Sequence, residues 1–447
     1  MFNLKFKARP LRCRYRSLTR QALVALAVAG AGPAALSTSV QGAPPTEASE
    51  AAGTPTVSLS LDEALTRAET ASVIVRRARA ERALVASRDV GASLLLPSNP
   101  VAAFGAGRRR EVIDGTGRAQ GLQMAAHLEQ TFEVAGQRGT RRAEVARQLD
   151  AAGWRETAAR VETRARARGA YIGTLLADAQ LAAARRRIDL VRQLVEGVRT
   201  RVQSGAASSV DLHLARVEQG RAIRDRAAAE QSRAMALAEL RVLVNLPPGT
   251  AITLTTVMGP PPARVASMSP LLERAQTYRA ELKQISAERD ATDAAITRLS
   301  REATPNPTLF VDYQRDLPGQ TYLGGGVALP LPFFRRNQGE LAVARSDRDR
   351  LGEESALAGR EVAAEVERAF RSAAVQGELL HAIETEMLPA AESAVDLITQ
   401  GWRAGKFDLF RVIQASREAA ETRRDYLVAL GALWEATIAL DRAVGNP

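Results

Sequence analysis

The spacing of hydrophobic and polar positions changes period several times along the chain. Leu122, Met124, Ala126 and Leu128 alternate with Gln123, Ala125, His127 and Glu129, and much later Leu309, Val311 and Tyr313 alternate with Phe310, Asp312 and Gln314. A period of two predicts strands with one apolar and one wetter face. Neighbouring runs complete two hairpins, about 99 to 110 with 120 to 133 and 306 to 316 with 321 to 333. Each strand has about ten residues, the length of a tilted transmembrane strand. Elsewhere the period is helical. Val362, Val366, Ala369, Ala373, Leu380, Ile383 and Met387 follow a 4-3 spacing with one break at Gln376, and Leu427, Leu430, Trp434 and Ile438 repeat the idea, the seam expected of coiled-coil packing. No proline lies between Pro100 and Pro247, and only Pro389 between Pro332 and Pro447. A single helix from about Gln137 to Gln203, roughly 100 Å at ~1.5 Å per residue, is therefore permitted. Pro389 should bend the helix that carries it.

These landmarks recur in the same order in two halves, which reads as a tandem duplication. Each half opens with a helical segment, Leu61 to Leu95 and Ser269 to Glu302, that stops at a Pro-Asn breaker. A hairpin follows, then a Gly-Gln turn at Gly136 to Gly139 and its counterpart at Asn337 to Gly339, then a helix ending at Gly205 or Gly405, then a return helix. The expected organisation is a leader at 1–43, a flexible linker at 44–56, a first repeat at 57–250, a linker at 251–268 and a second repeat at 269–447. Within the repeats, membrane hairpins lie at about 99–133 and 306–333, and helices at about 137–245 and 338–445.

The composition narrows the class. Aromatic residues are 4% and hydrophobic residues 46% of the 447, which favours long helices packed through small side chains. The formal charge of +11 is misleading. Lys5, Lys7, Arg9, Arg12, Arg14, Arg16 and Arg20 account for much of it, and without them 54 basic residues face 50 acidic ones. Nothing in that balance argues for nucleic acid. The basic segment precedes an apolar run from Gln21 to Leu36 interrupted by Gly30, Gly32 and Pro33, the pattern of a secretory signal peptide, with Ala43 the favoured end; a single N-terminal membrane anchor is the alternative. The only cysteine, Cys13, lies before that run, so the mature chain has no thiol for a disulfide, a thiolate metal site or a nucleophile.

Catalytic and cofactor patterns are not found. His127, His213 and His381 lack a second ligand at helical spacing, Gly324 to Gly326 lacks the Lys-Ser/Thr of a phosphate loop, and no Ser/His/Asp arrangement stands out. His127 is read as facing a lumen and the other two as ordinary helix residues. Paired acids such as Glu365 and Glu367 read as solvated helix surface. Gly205 and Gly405 can adopt the positive φ that ends a helix. Asp211 and Asp408 follow them, where an acid either caps the return helix or lines an aperture. The strands could form an ordinary sheet packed on the helices, or enter a membrane. In lipid, four strands cannot close a barrel and open edges are forbidden, so several copies would have to pool them.

The order of elements, with the strings LEQTFEVAGQRGTRRAEVAR at 128–147, ALPLPFFRRNQGELAVAR at 328–345 and MLPAAESAVDLITQGWRAGKFDLFRVIQASR at 387–417, resembles the TolC-like outer-membrane efflux proteins. It looks most like the outer-membrane components of cobalt, zinc and cadmium type cation efflux systems. The resemblance spans about residues 58 to 446. It implies a mainly α fold with a small transmembrane β part: a homotrimer whose pooled strands make a 12-stranded barrel in the outer membrane and whose helices form a periplasmic α-barrel. It also implies a periplasmic adaptor, a proton-driven inner-membrane pump of the resistance-nodulation-division class, contact with outer-membrane lipid, and passive conduction without cofactor or catalysis. Gly205, Ala206, Asp211, Arg403, Gly405, Lys406 and Asp408 would then form the aperture and the adaptor docking surface. The aspartate that such channels carry just after the second turn is matched here by Gln414, and the acid before it by Arg411. A drug or polypeptide cargo on the same fold, and a soluble periplasmic coiled-coil adaptor or scaffold, are the alternatives.

Overall fold

The computed structural model describes residues 56–113, 117–262, 267–316 and 319–445; the expected leader, and the linker up to residue 55, lie outside them. A short strand β1 (Thr56–Leu59) leads into α1 (Leu61–Ala71) and α2 (Val73–Ala92). The first hairpin is β2 (Val101–Ile113) and β3 (Gly117–Thr131), followed by α3 (Gln137–Gln203) and α4 (Ser209–Leu243). After β4 (Ala251–Leu254) the plan repeats as α5 (Met268–Tyr278), α6 (Ala280–Glu302), β5 (Thr308–Asp316), β6 (Gln320–Ala328), α7 (Gln338–Ala382), α8 (Leu388–Arg403) and α9 (Leu409–Ala443). α3 is one unbroken helix of 67 residues, about 100 Å long. The two return helices α4 and α9 have 35 residues each.

Four expectations are corrected. The opening helical segments are each split by one non-helical residue, Ser72 with ψ 138° and Arg279 with ψ 121°. At Ser72 the hydroxyl accepts from the Ile74 N–H at 3.3 Å and starts a new helix, the usual role of serine at an N-cap. At Arg279 the break turns the side chain inward to Glu281, Glu365 and the Ala443 carbonyl. The stretch 251–268 is not only a linker: Ala251–Leu254 pairs in parallel with β1, which itself takes up Thr56. Tyr171, fully buried in α3, locks this ribbon by donating to the Leu59 carbonyl at 3.0 Å. The second hairpin ends at Ala328, because Pro330 and Pro332 have no N–H for a ladder.

The fourth correction concerns the seam. Val362, Val366, Ala369, Leu380 and Ile383 are buried, but Met387 is exposed. Between them Ile383–Met387 is a π-helical turn placed just before Pro389. The wider turn relieves the clash between the proline ring and the preceding helical turn. The inserted residue also rotates everything beyond it, which carries Met387 off the packed face.

The Gly-Gln turns show how the duplication is built. Gly136 and Asn337 both have positive φ, at 74° and 56°. The next residue, Gln137 or Gln338, folds its side-chain oxygen back onto the N–H of Ala135 or Arg336. The same local chemistry starts both long helices. Their apolar stripes then bury against α4 and α9 in a chain of small clusters, one around Tyr171, Leu175 and Leu240, another around Trp402, Leu409 and Val412.

Candidate functional site

The four long strands form one antiparallel sheet in the order β2-β3-β5-β6. Its register sets the faces. Phe104 pairs with Ala126, Ala126 with Tyr313 and Tyr313 with Leu323, so one side carries these residues with Leu122, Met124, Leu128, Leu309, Val311 and Val327. On the other side His127 pairs with Ala103 and Asp312, and Asp312 with Gly324. Along β5, exposed and half-buried residues alternate strictly, and the exposed ones are Leu309, Val311, Tyr313 and Arg315. Phe104 is 84% exposed, Leu323 73% and Val311 51%. Along β5 the polar side is the more crowded, and the apolar side is open. Such a sheet is inverted with respect to water, since among the described residues nothing covers its apolar face. Arg108 and Arg315 share this apolar face through their pairing with Leu122 and Met124.

On the polar side His127 is held between two carboxylates. Its Nδ1 lies 2.7 Å from Asp312 Oδ1 on the neighbouring strand and its Nε2 3.4 Å from Glu129 Oε2. The Phe310 ring is 5.9 Å from the imidazole and lies over Gly326, where a Cβ would come within 2.7 Å of it. The glycine run thus makes room for rings lying flat on the wall. His213 and His381 are exposed on helices. Among the described residues no group of His, Cys, Asp and Glu is arranged to hold a metal ion.

At the far end, the two helix reversals follow the same design. Gly205 and Gly405 have φ of 75° and 74°, and the N–H groups of Ala206 and Lys406 reach back to the carbonyls of Arg201 and Gly401, which closes each helix end. Asp211 and Ser208 cap each other at the start of α4, with Ser208 N–H donating to Asp211 Oδ2 at 3.0 Å and Asp211 N–H to Ser208 Oγ at 3.2 Å. Asp408 is itself the N-cap of α9 and accepts from the Arg411 N–H at 3.0 Å. Both acids therefore cap helices. Ala206, Arg403, Gly405, Lys406 and Asp408 are exposed beside them. The two turns, 200 residues apart in sequence, are joined by Arg201. Its guanidinium lies 4.4 Å from the centroid of the Trp402 ring and donates to the carbonyls of Trp402 at 2.7 Å and Arg403 at 3.0 Å. A cation at the open carbonyl end of α8 is favourably placed.

Above the tips a buried carboxylate ties three helices together. Glu218 of α4 accepts from Arg187 of α3 at 2.7 Å and from Arg417 of α9 at 2.9 Å, while Arg187 also holds Asp225 at 2.6 Å. Burial pushes the Glu218 carboxyl up, but the hydrogen bonds from Arg417 and Arg187 outweigh it and hold the group below its ordinary value. Neither Arg201 nor this network is visible in the sequence. The partners are separated by tens to hundreds of residues, and arginines and glutamates at helical spacing are everywhere in this chain.

Residues 271–446 match the family model described as outer membrane efflux protein. The chain is similar to outer-membrane efflux proteins over that stretch. It is also 27% identical over 323 residues, 72% of this chain and 77% of the relative, to the cobalt-zinc-cadmium resistance protein CzcC of Cupriavidus metallidurans. Crystal structures of CusC share the fold with a TM-score of 0.69 at 16% identity, over 87% of this chain and 92% of that one. The open state of the MtrE outer membrane channel of Neisseria gonorrhoeae does so with 0.67 at 18% identity, over 86% and 88%. Long helices with a small sheet are thus an architecture that this chain shares with those solved structures.

Proposed function

We propose that the protein is the outer-membrane duct of a tripartite efflux system and that its cargo is heavy-metal cations. The carrying observation is the sheet, whose open face is apolar and whose more crowded face is polar. That is the arrangement a barrel needs in lipid around a water-filled lumen. β2 and β6 leave their outer edges unpaired among the described residues, at several kcal/mol for each exposed group in hydrocarbon. Three copies sharing twelve strands remove those edges. A soluble scaffold would have no use for such a face. On this reading the leader at 1–43 directs export and is cleaved, and the paired repeats supply the helical conduit. The exposed turns with Gly205, Ala206, Asp211, Arg403, Gly405, Lys406 and Asp408 make the aperture that meets a periplasmic adaptor and, through it, a proton-driven inner-membrane pump. The duct conducts passively and performs no covalent chemistry.

The metal cargo is supported by the likeness to CzcC over most of the chain, and the alternatives on the same fold are organic drugs and secreted polypeptides. The test is growth of a deletion strain on zinc, cobalt and cadmium salts against a drug panel. Sensitivity to the salts alone is expected, and sensitivity confined to drugs would overturn the cargo. Membrane fractionation with heat-modifiable migration on a gel tests the duct itself.

A further inference from the structure

We propose that the charge selectivity of the duct is set inside the β-barrel, by a ring of His127, Glu129 and Asp312 from each copy, which admits cations and excludes anions. The inference rests on the three-copy duct proposed above, and it locates a property that the helix tips cannot supply. At the tips, Asp211 and Asp408 are engaged as helix caps, and the second turn exposes Arg403, Lys406 and Arg411 around a single acid. Those ends are not negative.

The sheet separates its charges by face. Arg108 and Arg315 fall on the apolar side. At the polar-face positions whose side chains are described, the charged residues are Glu129, His127, Asp312 and Asp316, with no lysine or arginine. Within the ring His127 lies between the two carboxylates, 2.7 Å from Asp312 and 3.4 Å from Glu129. Side-chain exposures of 35–40% leave all three open to the lumen. Opposite them on the neighbouring strands are Ala103 and Gly324, which do not screen them. The sign does not depend on the imidazole. Each copy carries a net −1 with His127 protonated and −2 with it neutral, so three copies place a negative ring at one level in either state.

The same geometry explains why cations would pass rather than stay. Each carboxylate engages a different ring nitrogen, so the three groups do not converge on one point, and no chelate forms within a protomer. A ring of separate charges attracts ions through its field, as in cation channels lined by acidic side chains, and lets them go. Such a field is screened by salt, with a Debye length of roughly 30 Å at 0.01 M and 3 Å at 1 M. Selectivity from this ring must therefore fade as potassium chloride is raised.

The experiment is reversal-potential measurement on the full-length mature protein in planar bilayers under a potassium chloride gradient. At about 0.01 M salt the wild type should prefer potassium over chloride several-fold, and near 1 M the preference should largely vanish. The isosteric pair Asp312→Asn with Glu129→Gln should bring the low-salt ratio close to one. His127→Gln, with both acids kept, should preserve or strengthen it, a readout that damage to the wall would not produce. An unchanged ratio in the double variant overturns the proposal, as does a ratio that follows Asp211→Asn and Asp408→Asn instead. Single-channel conductance and trimer size report separately on the duct. A wild type without channel activity refutes the three-copy barrel, whereas active variants with wild-type selectivity refute only the ring.

Discussion

Removing the charge of Glu218 tests how the two repeats are held together near the tips. In the folded protein this carboxylate is 1% exposed and receives Arg187 of the first repeat and Arg417 of the second. Glu218→Gln keeps the shape but withdraws the charge from both arginines. Breaking a fully buried pair costs about 3–5 kcal/mol. Arg417 is partly exposed and Arg187 retains Asp225, so about 2–3 kcal/mol is the better expectation for this site. Hydrogen exchange read by mass spectrometry should show it locally. Amides of α4 and α9 around residues 212–222 and 412–420 should lose protection by roughly 30- to 150-fold, while those of α6 and the sheet stay unchanged. The pH dependence follows from the direction of the shift. Because the folded carboxyl titrates below its ordinary value, its contribution is complete above about pH 4.3, the unfolded glutamate value. It is lost as pH falls through the lower folded value, so wild type and variant should converge in acid. Protection within threefold of wild type at neutral pH, or a difference that persists unchanged in acid, would refute the account.

Three further outcomes are expected. Val311→Lys, on the apolar face, should destabilise the protein in bilayers by about 2–4 kcal/mol, whereas Gln123→Lys on the polar face should cost little; equal losses in urea unfolding from vesicles would mean the faces are assigned wrongly. Gly405→Ala places a side chain at φ 74° and should cost about 1–2 kcal/mol, read as faster exchange confined to the second turn. Arg201→Ala removes the contact between the two turns and should raise the leak of purified channels in bilayers, where wild-type conductance would argue that the turns are held by other contacts.

Much of the plan is legible in the chain because it is local. Alternation in Leu122–Glu129 and Leu309–Gln314 marks strands whatever surrounds them, the absence of proline between Pro100 and Pro247 permits a 67-residue helix, and a glycine before a capping acid marks each reversal. The choice of partners is not local. That β3 pairs with β5, that β1 and β4 join across nearly two hundred residues, and that Arg201 meets Trp402 all depend on which surfaces the folded helices bring together. The same holds for direction. Period two shows that a strand has two faces, but only the finished sheet, half-burying His127 and Asp312 on one side and leaving Phe104 and Val311 exposed on the other, decides which face is left open. The π turn before Pro389 is of the same kind: the proline announces a disturbance, and packing against α9 selects the form that absorbs it.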